Sequence, residues 1–264
     1  MRTFAILVRA GFRRHSTYRL AMLAGTTTNS VFGLIRASVL VAAVASAGTE
    51  IGGYDAPKVL AFVWWGQALL GAVSLWGFQE VSDRVRSGDI AVDFLRPLNP
   101  QLAYVAGDLG RAGINLILRG APSLLIGALL FDLAAPPGLD SWVLGFVSVV
   151  IAVVAAFAGT FIVNLLAFWV TEVRGIRLVW MITSGFLCGL YLPIPWFPEW
   201  LRTLALWTPF PAMLQNPVDI LSGRVDGDAI WSTLAGQVAW AAVLLILGQL
   251  VLQRGRRHLE VQGG

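Results

Sequence analysis

Charged residues are scarce in this chain of 264 residues. They make up 13% of it, whereas 57% is hydrophobic and the mean hydropathy is +0.73. A water-soluble domain carries roughly 25% charged residues, which cover its surface. A soluble fold of this composition would expose large apolar patches and aggregate. The scarcity of charge therefore predicts an integral membrane protein.

Histidine, lysine and cysteine are almost absent, and each absence excludes a kind of site. His15 and His258 lie near the two ends, so intramembrane histidines cannot form a haem site, a zinc site or a Ser/His protease. We therefore predict no catalytic residue and no metal site. The one cysteine, Cys188, excludes an intrachain disulfide. The one lysine, Lys58, follows a proline, so the Gly-Lys step of a phosphate-binding P-loop is missing. The chain is predicted to bind no cofactor itself.

Long apolar stretches are abundant. They predict an all-α membrane protein of about six transmembrane helices, because on the order of 20 helical residues cross a hydrocarbon core about 30 Å thick. We treat residues 1–264 as a single transmembrane domain. The stretches are 20–46, 57–79, 102–131, 141–171, 178–195 and 229–252.

Arginine placement predicts the orientation. Of the 18 arginines, 13 lie in the N-terminal arm, the loops after the second and fourth stretches, and the C-terminal end. The positive-inside rule then places both termini in the cytoplasm. Residues 1–19 mix arginines with apolar residues and predict an interfacial helix on the cytoplasmic membrane surface, with a disordered basic arm as the alternative. Residues 253–264 are predicted to form a cytoplasmic tail.

Four charged residues fall inside the predicted spans: Arg36, Asp108, Arg111 and Arg119. A charge near the bilayer centre costs about 2.5–3.5 kcal/mol on insertion scales. Asp108 and Arg111 are three residues apart, so they share one helix face, and we favour a structural ion pair. For Arg36 and Arg119, a water-filled pathway and a buried pairing role are equally compatible with the sequence.

The predicted cytoplasmic loop 80–101 contains a short amphipathic element. Charges cluster at its start, a glycine permits a turn, apolar residues follow and a proline stops the element. Such a piece on the basic side of the membrane is suited to docking a cytoplasmic partner. A loop packed on lipid headgroups is the alternative. The residues that we select are Gly88, Asp89, Ile90, Phe94, Arg96 and Pro97.

The segment 193–228 is rich in proline and precedes the last span. Prolines at 193, 195, 198, 209, 211 and 217 prevent one continuous helix. Broken backbone at membrane depth is tolerated only where protein buries it or it lines a cavity. We therefore predict short re-entrant helices on the extracytoplasmic side.

These two segments resemble the membrane subunit of a type-2 ATP-binding-cassette exporter. The closest likeness is to an uncharacterised bacterial branch with a loop that reads Ser-Gly-Asp-Ile, as at 87–90, and Leu-Arg-Pro-Leu-Asn-Pro, as at 95–100. The resemblance implies a non-catalytic permease in the bacterial plasma membrane. It also implies two cytoplasmic ATPase subunits that hold ATP and Mg²⁺, and a second permease, with a heterodimer slightly favoured over a homodimer.

The resemblance assigns roles to both segments. The 80–101 loop becomes the ATPase-coupling element, in which Ile90 and Phe94 pack into the ATPase while Asp89 and Arg96 fix the register. The Pro-rich segment becomes the outer gate of an export pathway, closed at rest by Trp196, Phe197, Trp200 and Phe210.

Two other functions compete with the exporter. An ion-coupled secondary carrier or channel would work without an ATPase and would depend on Asp108 or another intramembrane charge. A membrane-bound lipid-modifying enzyme would need clustered outward acids or histidines, and the sequence is poor in both.

Overall fold

Helices account for nearly the whole chain. The computed structural model describes residues 2–17, 19–76 and 79–258, and the all-α prediction is confirmed for these residues. The helices of the N-terminal half are α1 (Arg2–His15), α2 (Arg19–Ala47), α3 (Ala56–Leu70), α4 (Glu80–Ser87), α5 (Ile90–Leu95), α6 (Pro100–Asn115) and α7 (Ala121–Leu130). Those that follow are α8 (Leu139–Leu165), α9 (Arg174–Leu187), α10 (Glu199–Leu206), α11 (Phe210–Met213), α12 (Gln215–Leu221) and α13 (Asp228–Arg256).

Four helical segments in the described part of the chain are long and apolar enough to cross a membrane. They are Ala24–Ala47, Pro100–Leu130, Leu139–Phe168 and Asp228–Arg256. The second of these joins α6 to α7 through a π-helical turn, Leu116–Gly120, and the third ends in a 3₁₀ turn, Leu166–Phe168. They correspond to the first, third, fourth and sixth apolar stretches of the sequence.

The other two stretches form shorter helices. α3 has 15 residues and α9 has 14, which at 1.5 Å per residue span about 21–23 Å. α3 is shorter than the apolar stretch 57–79, and α9 is shorter than the apolar stretch 178–195. Directly after α3, the carbonyl oxygens of Gly71 and Ala72 accept hydrogen bonds from the guanidinium of Arg111, both at 2.8 Å. α9 ends before the prolines at 193 and 195.

The interior is built around α8, whose C-terminal two thirds is almost wholly buried. α13 packs along it, and Ser148 donates to Gln237 Oε1 at 2.5 Å while Gln237 donates to the carbonyl of Ala212 at 2.8 Å. Buried amides in an apolar interior need such partners. These bonds hold α8, α11 and α13 together.

The two ends of the helix bundle are identified by contacts between distant segments. At one end, Asn99 donates to Gln249 Oε1 at 3.0 Å, so the start of α6 lies beside the end of α13. At the other end, Ala134 donates to the carbonyl of Pro57 at 3.1 Å, so the end of α7 lies beside the start of α3. The arginine argument predicts that the first end is cytoplasmic and the second extracytoplasmic, and we name the two ends accordingly.

α1 packs directly on α6 through glycines. A Cβ atom on Gly110 would lie 2.1 Å from the carbonyl oxygen of Val8, and one on Gly11 would lie 2.3 Å from the carbonyl oxygen of Gly107. Only glycine allows two backbones to come this close. The predicted N-terminal helix is thus present over residues 2–15, and α6 covers part of it. Met1 and Tyr18 of the predicted 1–19 element, and residues 259–264 of the predicted tail, lie outside the described residues.

Candidate functional site

α4 and α5 form a hairpin at the cytoplasmic end, just before α6. Gly88 closes α4 in the left-handed conformation, with φ +79°, and its N–H donates to the carbonyl of Val85 at 3.3 Å. Residues other than glycine are strained in this conformation. α5 ends at Leu95, where Arg96 turns to an extended backbone and Pro97 follows. The sequence thus confines the hairpin to two short helices.

A buried carboxylate, Asp93, ties the hairpin to α6. Its Oδ2 accepts a hydrogen bond from Arg84 Nε at 2.8 Å and another from the hydroxyl of Tyr104 at 2.6 Å. Its Oδ1 accepts from Arg84 Nη2 at 3.0 Å, which completes a bidentate pair. Only 8% of the Asp93 side chain is exposed. One carboxylate therefore joins α4, α5 and α6, and charge-assisted bonds of this geometry are among the stronger ones in proteins.

The electrostatics of Arg84 agree with this geometry. Burial opposes its charge, but the hydrogen bonds to Asp93 and the nearby negative groups outweigh burial and raise the pKa of Arg84 above its usual range. Arg84 also donates to the backbone carbonyl of Asp89 at 3.0 Å, which fixes the turn around Gly88. The hairpin is therefore held in shape from inside.

Apolar side chains lie on both faces of the hairpin. One of these faces is packed inside the chain and the other is exposed. Ile90 is 0% exposed inside this chain, and Phe94 packs on a buried cluster that includes Val81 and Phe161. The Arg256 guanidinium lies 5.4 Å from the centre of the Phe94 ring. A partner cannot reach Ile90 in this conformation, which corrects its assignment as a docking side chain. The exposed apolar side chains of the segment are Val92, Leu95 and Leu98, with Leu95 85% exposed.

The other selected residues of the hairpin are at the surface. Asp89 accepts a hydrogen bond from the hydroxyl of Ser87 at 2.7 Å, and Arg96 lies 3.5 Å from Asp93 Oδ1 with most of its side chain exposed. Arg86 forms an ion pair with Glu172 at 3.0 Å, which joins the hairpin to the loop before α9. An acceptor on a partner can therefore reach Arg96.

A cavity of about 680 Å³ opens beside the hairpin, and its walls carry both signs of charge. Arg14 of α1 pairs with Glu80 of α4 at 3.2 Å on one wall, and Arg111 lies on another. In the parts of the chain that the structure describes, no group of three or more His, Cys, Asp and Glu side chains could hold a metal ion. The cavity is polar and faces the cytoplasmic end.

The four residues selected for the outer gate have different environments. Trp200, on α10, is 69% exposed. Phe197 stacks on Phe186 with ring centres 5.2 Å apart, and Phe210 lies 5.3 Å from Trp180. Trp196 donates to the carbonyl of Ile51 at 2.8 Å. Three of the four thus pack inside the outer end, and Trp200 lies on its surface.

Sequence reasoning missed a second polar cluster at this outer end. Asp219 of α12 accepts hydrogen bonds from the Tyr54 hydroxyl, from Gln215 at 2.8 Å and from both Nε and Nη2 of Arg224. Gln215 also accepts from the backbone N–H of Ile194 at 3.1 Å. The cluster joins the loop before α3 to the Pro-rich segment. Tyr54 and Asp219 are 165 residues apart, so the sequence carries no local signal for the cluster.

Each of the four charged residues in the predicted spans forms a hydrogen bond or an ion pair, either within its own helix or with another segment. Asp108 pairs with Arg111 at 2.6 Å, and Arg111 also binds the end of α3. Arg119, in the π turn, donates to Asn29 Oδ1 at 2.8 Å. Arg36 reaches the carbonyl of Tyr191 at 3.5 Å, and its buried Nε has no partner. Asp108 and Arg111 thus form an ion pair, and a purely structural role for it stays a prediction.

Comparison with known proteins places the chain in a family. Residues 33–263 match the family model described as ABC-2 family transporter protein, which confirms the resemblance to a type-2 permease. A search of the curated proteins finds no match. The match covers most of the chain, including the hairpin, the π turn and the Pro-rich segment. The protein therefore belongs to the ABC-2 family of transporter proteins and is a multi-pass membrane permease component of an ABC transporter.

Proposed function

We propose that this chain is the permease subunit of an ATP-driven exporter and that the α4–α5 hairpin docks it to a separate ATPase. The observation that carries the proposal is the hairpin itself, an internally fixed element at the cytoplasmic end that leaves Leu95 almost fully exposed. A rigid element with an exposed apolar side chain is suited to a groove on a cytoplasmic protein. ATP and Mg²⁺ are held by the ATPase, because this chain lacks a Gly-Lys step.

The docking surface consists of Val92, Leu95 and Leu98, with Arg96 at its edge. These side chains replace Ile90 and Phe94 as the proposed apolar contacts, since the latter pack inside the chain. Arg96 and Asp89 keep their proposed role in fixing the register, because both are exposed. ATPase motion would reach the membrane helices through this contact.

The proposed assembly contains two permeases and two ATPases, with a heterodimer of permeases slightly favoured. Arg36 supports a second permease. Its Nε is buried inside the chain, but the contact of its Nη2 with the Tyr191 carbonyl is exposed at mid-span, where a charge that faces lipid costs about 2.5–3.5 kcal/mol. A second permease over this face would remove the charge from lipid. The export direction and a bacterial plasma membrane complete the proposal.

The proposed topology has six membrane passages with both termini in the cytoplasm. The four long segments cross fully, and α3 and α9 each make one shorter passage from opposite sides. α3 starts at the outer end and α9 starts beside the cytoplasmic ion pair of Arg86 with Glu172. The short helices after residue 193 then form the re-entrant outer segment.

The ion-coupled carrier is less well supported. It requires an intramembrane carboxylate that is free to take up a proton. Asp108, the acidic residue selected for that role, accepts hydrogen bonds from Arg111 on both oxygens, at 2.6 and 3.3 Å. Both carboxylate oxygens of Asp108 are thus already occupied by the guanidinium of Arg111.

Co-purification with a candidate ABC ATPase tests the proposed function. The purified chain alone should not hydrolyse ATP, and hydrolysis should appear with the ATPase. Leu95→Asp should weaken the complex by roughly 2 kcal/mol, about a thirtyfold loss of affinity, because it places a charge in an apolar contact. Leu139→Asp is the matched control, since Leu139 is 80% exposed but is the first residue of α8, at the outer end. Hydrolysis by the isolated chain, or equal ATPase retention by both variants, would contradict the proposal.

A further inference from the structure

We propose that Asp93 is the positioning residue that makes the docking hairpin and the span Pro100–Leu130 move as one body. Displacement of the hairpin would then reach the π turn Leu116–Gly120 inside the membrane. This inference rests on the proposed function, because it requires an ATPase on the hairpin. It adds a residue outside the docking surface, which touches neither the ATPase nor the transported molecule.

The first step is the connection between hairpin and span. Asp93 lies on α5, and its carboxylate receives two hydrogen bonds from Arg84 on α4 and one from Tyr104 on α6. The Asp93 side of the Arg84–Asp93 ion pair is almost shielded from solvent, so dissolved salt screens this ion pair only weakly. α5 itself has only six residues and cannot hold its orientation alone. Without Asp93, the hairpin contacts α6 through the connecting residues 96–99 and through the apolar cluster of Val81, Phe94 and Val105, whose contacts are not directional.

The second step is the stiffness of α6. Its glycines Gly107 and Gly110 press on the backbone of α1, and Arg14 of α1 is paired with Glu80 of α4. α1, α4, α5 and α6 therefore form one body at the cytoplasmic end. A rigid rod of 16 residues, α6, extends from this body about 24 Å into the membrane.

The third step is the π turn at the end of that rod. Wider π turns replace the regular helical hydrogen bonds over one turn and are frequent at functional sites. Arg119 in this turn donates to Asn29 of α2, and its side chain packs against Gly25 of α2 and Gly71 at the end of α3. A shift of α6 is therefore delivered to α2 and α3, and the π turn is where the span can bend.

The test is hydrogen exchange, measured by mass spectrometry on the permease–ATPase complex without nucleotide and after trapping with Mg²⁺, ATP and orthovanadate. In the unmodified complex, nucleotide should change exchange in peptides covering 116–120. Asp93→Asn should abolish that change. The ATPase-dependent protection of residues 90–98 should persist, because the docking side chains are intact. If Asp93 only stabilised the fold, Asp93→Asn would change the nucleotide response at 116–120 and the protection of residues 90–98 together.

Two further variants make the result decisive. Tyr104→Phe removes one hydroxyl, keeps the ring beside Phe161 and should reduce the nucleotide response. It decides the question if Asp93→Asn fails to fold or to retain the ATPase. Asp83→Asn changes an exposed acid of α4 and should leave the response unchanged.

The outcomes that overturn the inference are distinct from those that overturn the proposed function. An unmodified complex without a nucleotide response at 116–120 refutes the inference alone, as does a full response in both Asp93→Asn and Tyr104→Phe. Failure of the unmodified chain to bind any ATPase refutes the proposed function and, with it, the inference.

Discussion

At the scale of single residues, the outer polar cluster has the strongest electrostatic signature. Burial, and then the charge of Asp219, raise the pKa of Tyr54 well above its usual range, so its hydroxyl stays protonated and donates to Asp219. Burial opposes the charge of Arg224, but its hydrogen bonds to Asp219 and the negative charge there outweigh burial and raise its pKa. The guanidinium also lies 5.3 Å from the centre of the Tyr54 ring. The cluster is therefore a network in which each polar side chain has a hydrogen-bond partner within the cluster.

Removing Asp219 should destabilise the protein markedly. Asp219→Asn leaves the largely buried Arg224 without its counter-charge, which costs on the order of 3 kcal/mol for buried pairs. Tyr54→Phe removes one neutral donor and should cost only about 1 kcal/mol. Thermal unfolding of the detergent-solubilised protein measures both, with the exposed Asp226→Asn as control. An unfolding temperature for Asp219→Asn equal to that of the control would show that the cluster does not stabilise the outer segment.

At the scale of elements, the short outer helices separate into a surface helix and a packed core. α10 exposes Trp200, Leu204 and Trp207, which recur every three to four residues and form one apolar face. Phe197 and Phe210, on either side of α10, are buried against α9 through Phe186 and Trp180. An outer gate would therefore open by moving the two phenylalanines, while Trp200 stays at the surface throughout.

Cysteine labelling distinguishes a gate from static packing. Cys188 is buried and is first replaced by alanine. In the complex with the ATPase, Trp200→Cys should react with an impermeant maleimide in every nucleotide state, because it is exposed. Phe197→Cys and Phe210→Cys should react only after Mg²⁺, ATP and orthovanadate trap the complex. If these two positions stay protected in all states, the segment is a fixed part of the fold.

At the scale of the whole molecule, pairing between distant segments defines two opposite ends. Asp93, Tyr104 and Arg256 gather at one end, and Tyr54, Gln215 and Asp219 gather at the other. Most arginines lie at the first end, which the positive-inside rule makes cytoplasmic. The long segments connect the two ends.

Reporter fusions test this arrangement. Fusions after Pro136 and after Gly227 should be extracytoplasmic, because residues 135–136 contact Gly223 and α13 begins at Asp228. Fusions after Pro100 and at Gly264 should be cytoplasmic. Alkaline phosphatase, active outside, and green fluorescent protein, fluorescent inside, give opposite signals at each site. A cytoplasmic signal at Gly227 would refute the six-passage topology with re-entrant outer helices.

The sequence by itself determined the class of the protein and its family. Low charge and continuous apolar stretches require a membrane, and they predict the four long helical segments within a few residues. The hairpin loop and the Pro-rich segment were enough for the type-2 permease resemblance. These features are local, because hydropathy, helix length and proline all act within one stretch of chain.

Only the tertiary structure decided which faces are buried and where two helices end. Ile90 and Leu95 are equally apolar in sequence, yet Ile90 is buried inside its own chain and Leu95 is 85% exposed. α3 ends at Leu70, and the carbonyl of Gly71 just after it accepts a hydrogen bond from Arg111, 40 residues later in the sequence. Asp219 and Tyr54, 165 residues apart, come together by the same kind of long-range contact. Neither the amino-acid composition nor the hydrophobic periodicity of a sequence shows which distant segments are in contact once the chain has folded.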